Sequence, residues 1–330
     1  MMDRFRTCLA AMGMALCLAD PALAQSAGDF PSRPLRMVVP NAPGGSSDFV
    51  ARIIQPKLGE ILGTQIIVDN RGGASGNIGV EVAARAAPDG YTLLLGNVGA
   101  MAINPYLFPK FPISPVRDFV CISTVVDVAG ALAIHPSLPV TNLKEFIDYA
   151  KARPGKLSYG SSNPGAAQSL MMEYIKSKNG LDILRIDYKG GAGPATIGLL
   201  GGEVQAAMAT AASYGGHVKA GKLKMLAVVS PKRISAHPDV PTLVELGYPE
   251  LTTGSWQGLY SATGTPAPVV GKLYAALIKT LADPVVVERL AAGGADILTS
   301  KSPAECAAFM KTQNLFWGPF IKGLGLGTQQ

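Results

Sequence analysis

Glycines and hydroxyl-bearing residues, rather than acids, bases or metal ligands, carry the chemistry on offer in this sequence. The stretch Asn41-Ala42-Pro43-Gly44-Gly45-Ser46-Ser47-Asp48 lies between an apolar run, Leu35 to Val39, and a helical pattern that starts near Asp48. Gly44 and Gly45 open backbone conformations closed to other residues and remove side chains that would block a ligand. The start of a helix adds unpaired N–H groups and a partial positive charge. Together they make an anion cradle that needs no lysine and suits a carboxylate. The plainer alternative is a strand-to-helix turn in which Ser47 or Asp48 only caps the helix. Ser161-Ser162-Asn163-Pro164-Gly165-Ala166 repeats the arrangement, after the run Leu157 to Gly160 and before a helix carrying Met171 and Met172. Alone it too could be a capped turn. As a pair, one loop per lobe at the carboxyl ends of strands, the two would face each other where ligands sit in open α/β sheets. Asn97, Tyr188 and Met208 complete the set of candidate contacts. Trp256 could stack on a ligand or belong to the core of its strand.

Catalytic patterns are missing from the sequence. His135, His217 and His237 are the only histidines, and none has a partner at metal-ligand or triad spacing. The glycines of Gly72-Gly73-Ala74-Ser75-Gly76-Asn77-Ile78-Gly79 fit neither a dinucleotide nor a P-loop pattern and are expected to shape a loop. The expectation is a binding protein, not an enzyme, with no cofactor and no metal site.

The elements that must hold these loops alternate short apolar strands with helical patterns, which argues α/β with largely parallel sheets. In the first lobe, strands are expected at Leu35 to Val39, Gln65 to Val68 and Tyr91 to Leu95, with helices at about Asp48 to Leu62 and Ile78 to Ala87. Pro56 should kink the first helix, and Gly63 should end it. A second lobe is expected over 128–236, opening with a strand at Ala131 to Ile134 that could cross between lobes. Asn142 and Glu145 resemble a capping box for a helix through Lys151. Further strands are expected at Leu157 to Gly160, Leu184 to Tyr188, Val204 to Met208 and Leu223 to Val229. The first lobe, 30–127, is completed by 237–330, with a strand at Ser255 to Ser261 and helices near Pro268 to Leu281, Pro284 to Ala292 and Pro303 to Phe316.

At the N-terminus, Arg4 and Arg6 precede an apolar run from Cys8 to Ala19, and Ala22 and Ala24 form an A-x-A pattern. Residues 1–24 are expected to be a secretory signal cleaved after Ala24, which directs the protein to the periplasm. Cys121 and Cys306 remain after cleavage. They could bridge in an oxidising compartment, and two free buried thiols are an equal alternative. The formal net charge is +6, with basic residues scattered singly, which argues against nucleic-acid binding.

The ordered motifs together resemble the Bug family, the extracytoplasmic receptors of tripartite tricarboxylate transporters. The likeness runs from Pro43-Gly44-Gly45 with Asp48, Ala51 and Arg52, through Asn70-Arg71-Gly72-Gly73-Ala74-Ser75-Gly76-Asn77-Ile78-Gly79, to Ala87-Pro88-Asp89-Gly90-Tyr91-Thr92-Leu93-Leu94. It continues in Tyr188-Lys189-Gly190-Gly191, Leu199-Leu200-Gly201-Gly202, Ala220-Gly221-Lys222-Leu223-Lys224 and Pro238-Asp239-Val240-Pro241-Thr242-Leu243. The resemblance implies a two-lobed periplasmic-binding-protein fold, type II-like, with the ligand cleft between lobes. It implies that the loops at Asn41 to Asp48 and Ser161 to Ala166 hold a di- or tricarboxylate or an aromatic carboxylate. It also implies delivery by a monomeric receptor to membrane permease subunits, the alternative being presentation to a sensor kinase. Departures from the family pattern are Asn163, Ala166 and Ser169 in the second loop region, where a glycine, a serine and a histidine are usual, Gln205 in place of an acid, and Pro56. The second loop thus loses a hydroxyl and suits a less polar ligand end.

Overall fold

The computed structural model describes residues 30–325 except 109, 162–165, 189–191, 231 and 252–253. The signal segment 1–24 and three candidate contacts, Ser162, Asn163 and Gly165, lie outside the described residues.

In chain order the elements are β1 (Leu35–Val39), α1 (Ser46–Leu62), β2 (Ile66–Asn70), α2 (Asn77–Ala84), β3 (Thr92–Asn97), the short α3 (Asn104–Leu107) and α4 (Pro115–Asp118), β4 (Phe119–Val128) and β5 (Gly130–Ile134). Then come α5 (Leu143–Lys151), β6 (Leu157–Ser161), α6 (Ala167–Asn179), β7 (Ile183–Asp187), α7 (Ala192–Leu200), β8 (Ala206–Thr210), α8 (Ala211–Lys219) and β9 (Lys224–Val229). The chain closes with β10 (Ser255–Ala262), α9 (Ala267–Leu281), α10 (Pro284–Ala292), β11 (Ala295–Ile297) and α11 (Pro303–Gly323).

The strands form two sheets, in the orders β11-β4-β10-β3-β1-β2 and β7-β6-β8-β5-β9. Strands β1, β2 and β3 pair in parallel, as do β6, β7 and β8, so each sheet places a strand-to-helix loop at the carboxyl end of a parallel set. β10 runs antiparallel between β3 and β4, and β5 runs antiparallel between β8 and β9. β4 hands over to β5 at Ala129, and the returning chain passes beside that point, where the Gly254 N–H donates to Asp127 Oδ2 at 3.2 Å. Two neighbouring segments therefore connect the sheets.

Helix α1 buries Val50, Ile53, Ile54, Leu58 and Leu62 against the first sheet, as the helical spacing requires. It is assigned without a break across Pro56, although proline removes one rung of the ladder, and Gly63 ends it in the left-handed region. The Asn142–Glu145 cap forms, with the Glu145 N–H donating to Asn142 Oδ1 at 2.9 Å. β4 is the largest element that the strand patterns did not signal. It is buried on both faces, so its sequence, with Ser123, Thr124 and Asp127 inside it, shows no alternation.

Helix α11 ties the two halves together. Its Cys306 is disulfide-bonded to Cys121 of β4, with the Cα atoms 5.7 Å apart, which settles the open question of pairing. Further along, Phe320 packs on Tyr174 of α6 at 5.0 Å between ring centroids. One buried cluster accordingly joins Val38 and Leu94 of the first sheet with Leu132 and Tyr159 of the second. Among the described residues no helix is long and apolar enough to cross a membrane.

Candidate ligand site

The loop after β1 is held from three sides. Asn97, at the end of β3, donates from Nδ2 to Asn41 Oδ1 at 2.7 Å and to Ser47 Oγ at 3.2 Å. Asn70, at the end of β2, donates to the Asn41 carbonyl at 3.2 Å. Behind the loop, α2 presents Gly79, where an added Cβ would lie 2.8 Å from Pro40 Cα, so only glycine permits this approach. The glycine-rich segment 72–79 is thus a support for the loop, in line with its structural reading.

Gly44 takes φ +82°, and an added Cβ there would meet nothing within 4 Å. Its N–H donates to Asp48 Oδ2 at 2.9 Å, and Arg52 Nε donates to the same oxygen at 3.0 Å. Burial acts to raise the Asp48 carboxyl, but the Arg52 guanidinium and the Gly44 amide outweigh it and hold the group below its ordinary value. Asp48 is therefore an ionised brace for the turn, balanced by Arg52; the Gly45 N–H donates to the Ala42 carbonyl at 3.4 Å, which leaves the amides from Ser46 onward to the helix mouth.

Those amides define what the mouth can do. The first amide of α1 with a helical acceptor is Phe49, which donates to the Gly45 carbonyl at 2.9 Å. Gly45, the cap residue, has no side chain to satisfy the earlier N–H groups. Helix α6 starts in the same way, behind Ala166, which also lacks a capping oxygen. By contrast α5, α8, α10 and α11 are capped by the side chains of Asn142, Thr210, Asp283 and Ser302. The two helices that follow the candidate loops, like α2 and α9, have no side-chain cap among the described residues.

Ser46 is exposed at the mouth and Ser47 is buried beneath it. Gln257 of β10, fully buried, donates from Nε2 to Ser46 Oγ at 3.0 Å. In the second sheet Ser161, also buried, donates to the buried Ser169 Oγ at 2.9 Å.

Of the other candidates, Pro43 is exposed on the first loop. Tyr188 is half-buried, donates to Glu203 Oε2 at 2.9 Å and lies against Gly198 of α7. Met208 is core, in register with Leu132. Trp256 is core as well: it is buried, donates to Gln313 Oε1 at 2.8 Å and packs edge-on against Phe309. Along β10 it is Gln257, one residue on, that meets the first loop. Gln257 is absent from the contacts expected from sequence, and Asn70 and Ser169 enter there only as parts of family motifs. A lone glutamine inside an otherwise apolar strand was a usable signal for the first.

Comparison with known proteins places this geometry. A family model described as the tripartite tricarboxylate transporter family receptor matches residues 50–326. The structure of the periplasmic binding protein BugD is 37% identical, with a TM-score of 0.80 over 91% of this chain and 100% of that one. Rpa4515 of R. palustris, solved with adipate, is 31% identical, with a TM-score of 0.82 over 91% and 99% of the two chains. MatC from Rhodopseudomonas palustris, with bound malate, is 30% identical, with a TM-score of 0.78 over 88% and 100%. This chain belongs to the tripartite tricarboxylate transporter receptor family, as a solute-binding receptor of the Bug type.

Proposed function

We propose that the protein captures one small dicarboxylate in the periplasm and delivers it to the permease subunits of a tripartite transporter. The observation that carries this reading is the pair of uncapped helix starts, α1 behind Gly45 and α6 behind Ala166, each at the carboxyl end of a parallel strand. Open N–H groups at a helix start favour an anion, and hydroxyl donors strengthen the preference. One carboxylate would sit on the Ser46–Ser47 end of α1, and the start of α6 would face it from the other lobe. Adipate and malate, found with two relatives, differ in length and in a hydroxyl but share ionised carboxylates, which is the group the cradle suits. The lobes then correspond to 30–127 with 237–330 and to 128–236, joined by the two crossing segments. The chain acts as a monomer, exported by its first 24 residues, and it releases its ligand unchanged.

Isothermal calorimetry of the mature protein against adipate, succinate, malate, citrate and terephthalate tests the proposal. One site per chain is expected for at least one of them. Folded protein that binds none, or that converts its ligand as seen by mass spectrometry, overturns the reading.

A further inference from the structure

Gln257 sits where the sheet meets the anion cradle. It lies on β10 in direct register with Asn97 of β3. The buried Gln257 and the half-buried Asn97 do parallel jobs: Gln257 Nε2 donates to Ser46 Oγ, and Asn97 Nδ2 donates to Ser47 Oγ. A hydroxyl oxygen that accepts from an amide keeps its own proton for another partner. Ser46 is exposed, so its proton is free to turn to the mouth of α1.

Asn97 is locked in this sense, because its Oδ1 accepts from the Ala100 N–H at 3.1 Å. Gln257 has no such lock, and its buried Oε1 has no partner among the described residues. Rotating the amide by half a turn would present Oε1 to Ser46 and draw the hydroxyl proton inward. It would also leave both protons of the –NH₂ group without a partner among the described residues, whereas the observed orientation pairs one of them with Ser46 Oγ.

We infer that Gln257 is a positioning residue that makes the α1 cradle selective for an ionised carboxylate over a carboxamide, acting through the Ser46 hydroxyl. The inference rests on the proposal that α1 seats the ligand. A carboxylate only accepts hydrogen bonds, so it matches a seat made of N–H and O–H donors. A carboxamide of the same shape turns its –NH₂ toward those donors, and a proton then faces a proton.

The test is calorimetry with adipate and with its diamide, adipamide, on wild type, Gln257→Met, Ser46→Ala and the double variant. Methionine keeps the length of the side chain and removes the donor. Each single variant is expected to weaken adipate about tenfold. The double variant should be no weaker than Ser46→Ala alone. The preference for adipate over adipamide should shrink by the same factor. A residue that only fills space would weaken both ligands equally and add its effect to that of Ser46→Ala. That result, or unchanged adipate binding by a folded Gln257→Met, overturns the inference alone. Wild-type protein that binds no dicarboxylate overturns the seat itself, and the selectivity with it.

Discussion

Replacing Gly44 by valine separates a binding loop from a scaffold turn. Gly44 sits at φ +82°, a region valine avoids, and open space surrounds the position of its Cβ. The substitution therefore brings backbone strain without a clash, roughly 1–3 kcal/mol. If the chain relieves that strain by reverting to negative φ, the Gly44 N–H turns away from Asp48 Oδ2 and the following amides turn with it. Loss of two charge-assisted bonds to a carboxylate, at about 1.5–3 kcal/mol each, weakens binding by about two to four orders of magnitude. The fold should survive, because domains have about 5–15 kcal/mol of stability. Gly63, at the other end of the same helix, provides the control. It has φ +70° and equally open surroundings, so Gly63→Val brings like strain far from the mouth. Melting by circular dichroism and calorimetry with a bound dicarboxylate should show both variants destabilised, by about 2–4 °C for each kcal/mol, and only Gly44→Val failing to bind. Normal binding by Gly44→Val would refute the cradle. Lost binding in both variants would show that strain anywhere in α1 is enough.

Asp48→Asn keeps an oxygen for the Gly44 N–H, whereas Asp48→Ala removes it, so affinity should change by less than about threefold in the first and fall by about tenfold or more in the second. A gain in affinity in both would mean that the Asp48 charge merely repels the ligand. The Cys121–Cys306 bond spans 185 residues, and removing it by Cys306→Ser should cost about 2–5 kcal/mol in urea unfolding; identical midpoints with and without reductant would count against a structural bond. Burial, with Asp296 beside it, pushes the Asp127 carboxyl up to about 6 from an ordinary value of 3.8. A folded pKa above the unfolded one means that the native state binds the proton more tightly, so the penalty is absent below about pH 4 and complete above about pH 6. Asp127→Asn should then raise stability at pH 7.5 by up to about 3 kcal/mol and leave pH 4 unchanged; equal urea midpoints at pH 7.5 would refute it.

The parts of the fold legible in the sequence are those whose burial leaves a local pattern, either an apolar stripe on a half-wet helix or a short apolar run on a strand covered on both faces. Helix α1 shows its stripe of Val50, Ile53, Ile54, Leu58 and Leu62, and β1, β5 and β9 appear as apolar runs bounded by turns. β4 has no wet face and carries polar groups inward, where Thr124 Oγ1 meets Ser300 Oγ at 2.8 Å. Its partners come from residues more than a hundred positions away, so no local pattern announces it. The reach of α11 has the same cause. Its start can be read from Ser302 and Glu305, but it runs to Gly323, past the expected end at Phe316, and the contact of Phe320 with Tyr174 of α6 depends on how the two sheets are placed.

For the site, the sequence located the loop and the structure changed which residues do which work. Local spacing singles out Gly44, Ser46, Ser47 and Asp48, because strand, glycine turn and helix start lie within a dozen residues. It could not distinguish a residue that touches the ligand seat from one that braces it. Asp48 looks like a ligand residue by position, yet its oxygen is taken by Gly44 and Arg52, and Arg52 follows it at the i,i+4 spacing that favours such a pair. Trp256 looks like a stacking residue by type, yet alternation along β10 turns it into the core and brings Gln257 to Ser46 instead. In a strand the neighbour of a buried aromatic points the other way. Since β10 is the strand that returns beside β3, that neighbour is delivered to the carboxyl ends where the cradle lies. A polar residue next to a buried aromatic on a returning antiparallel strand is therefore a better guide to this site than the aromatic itself.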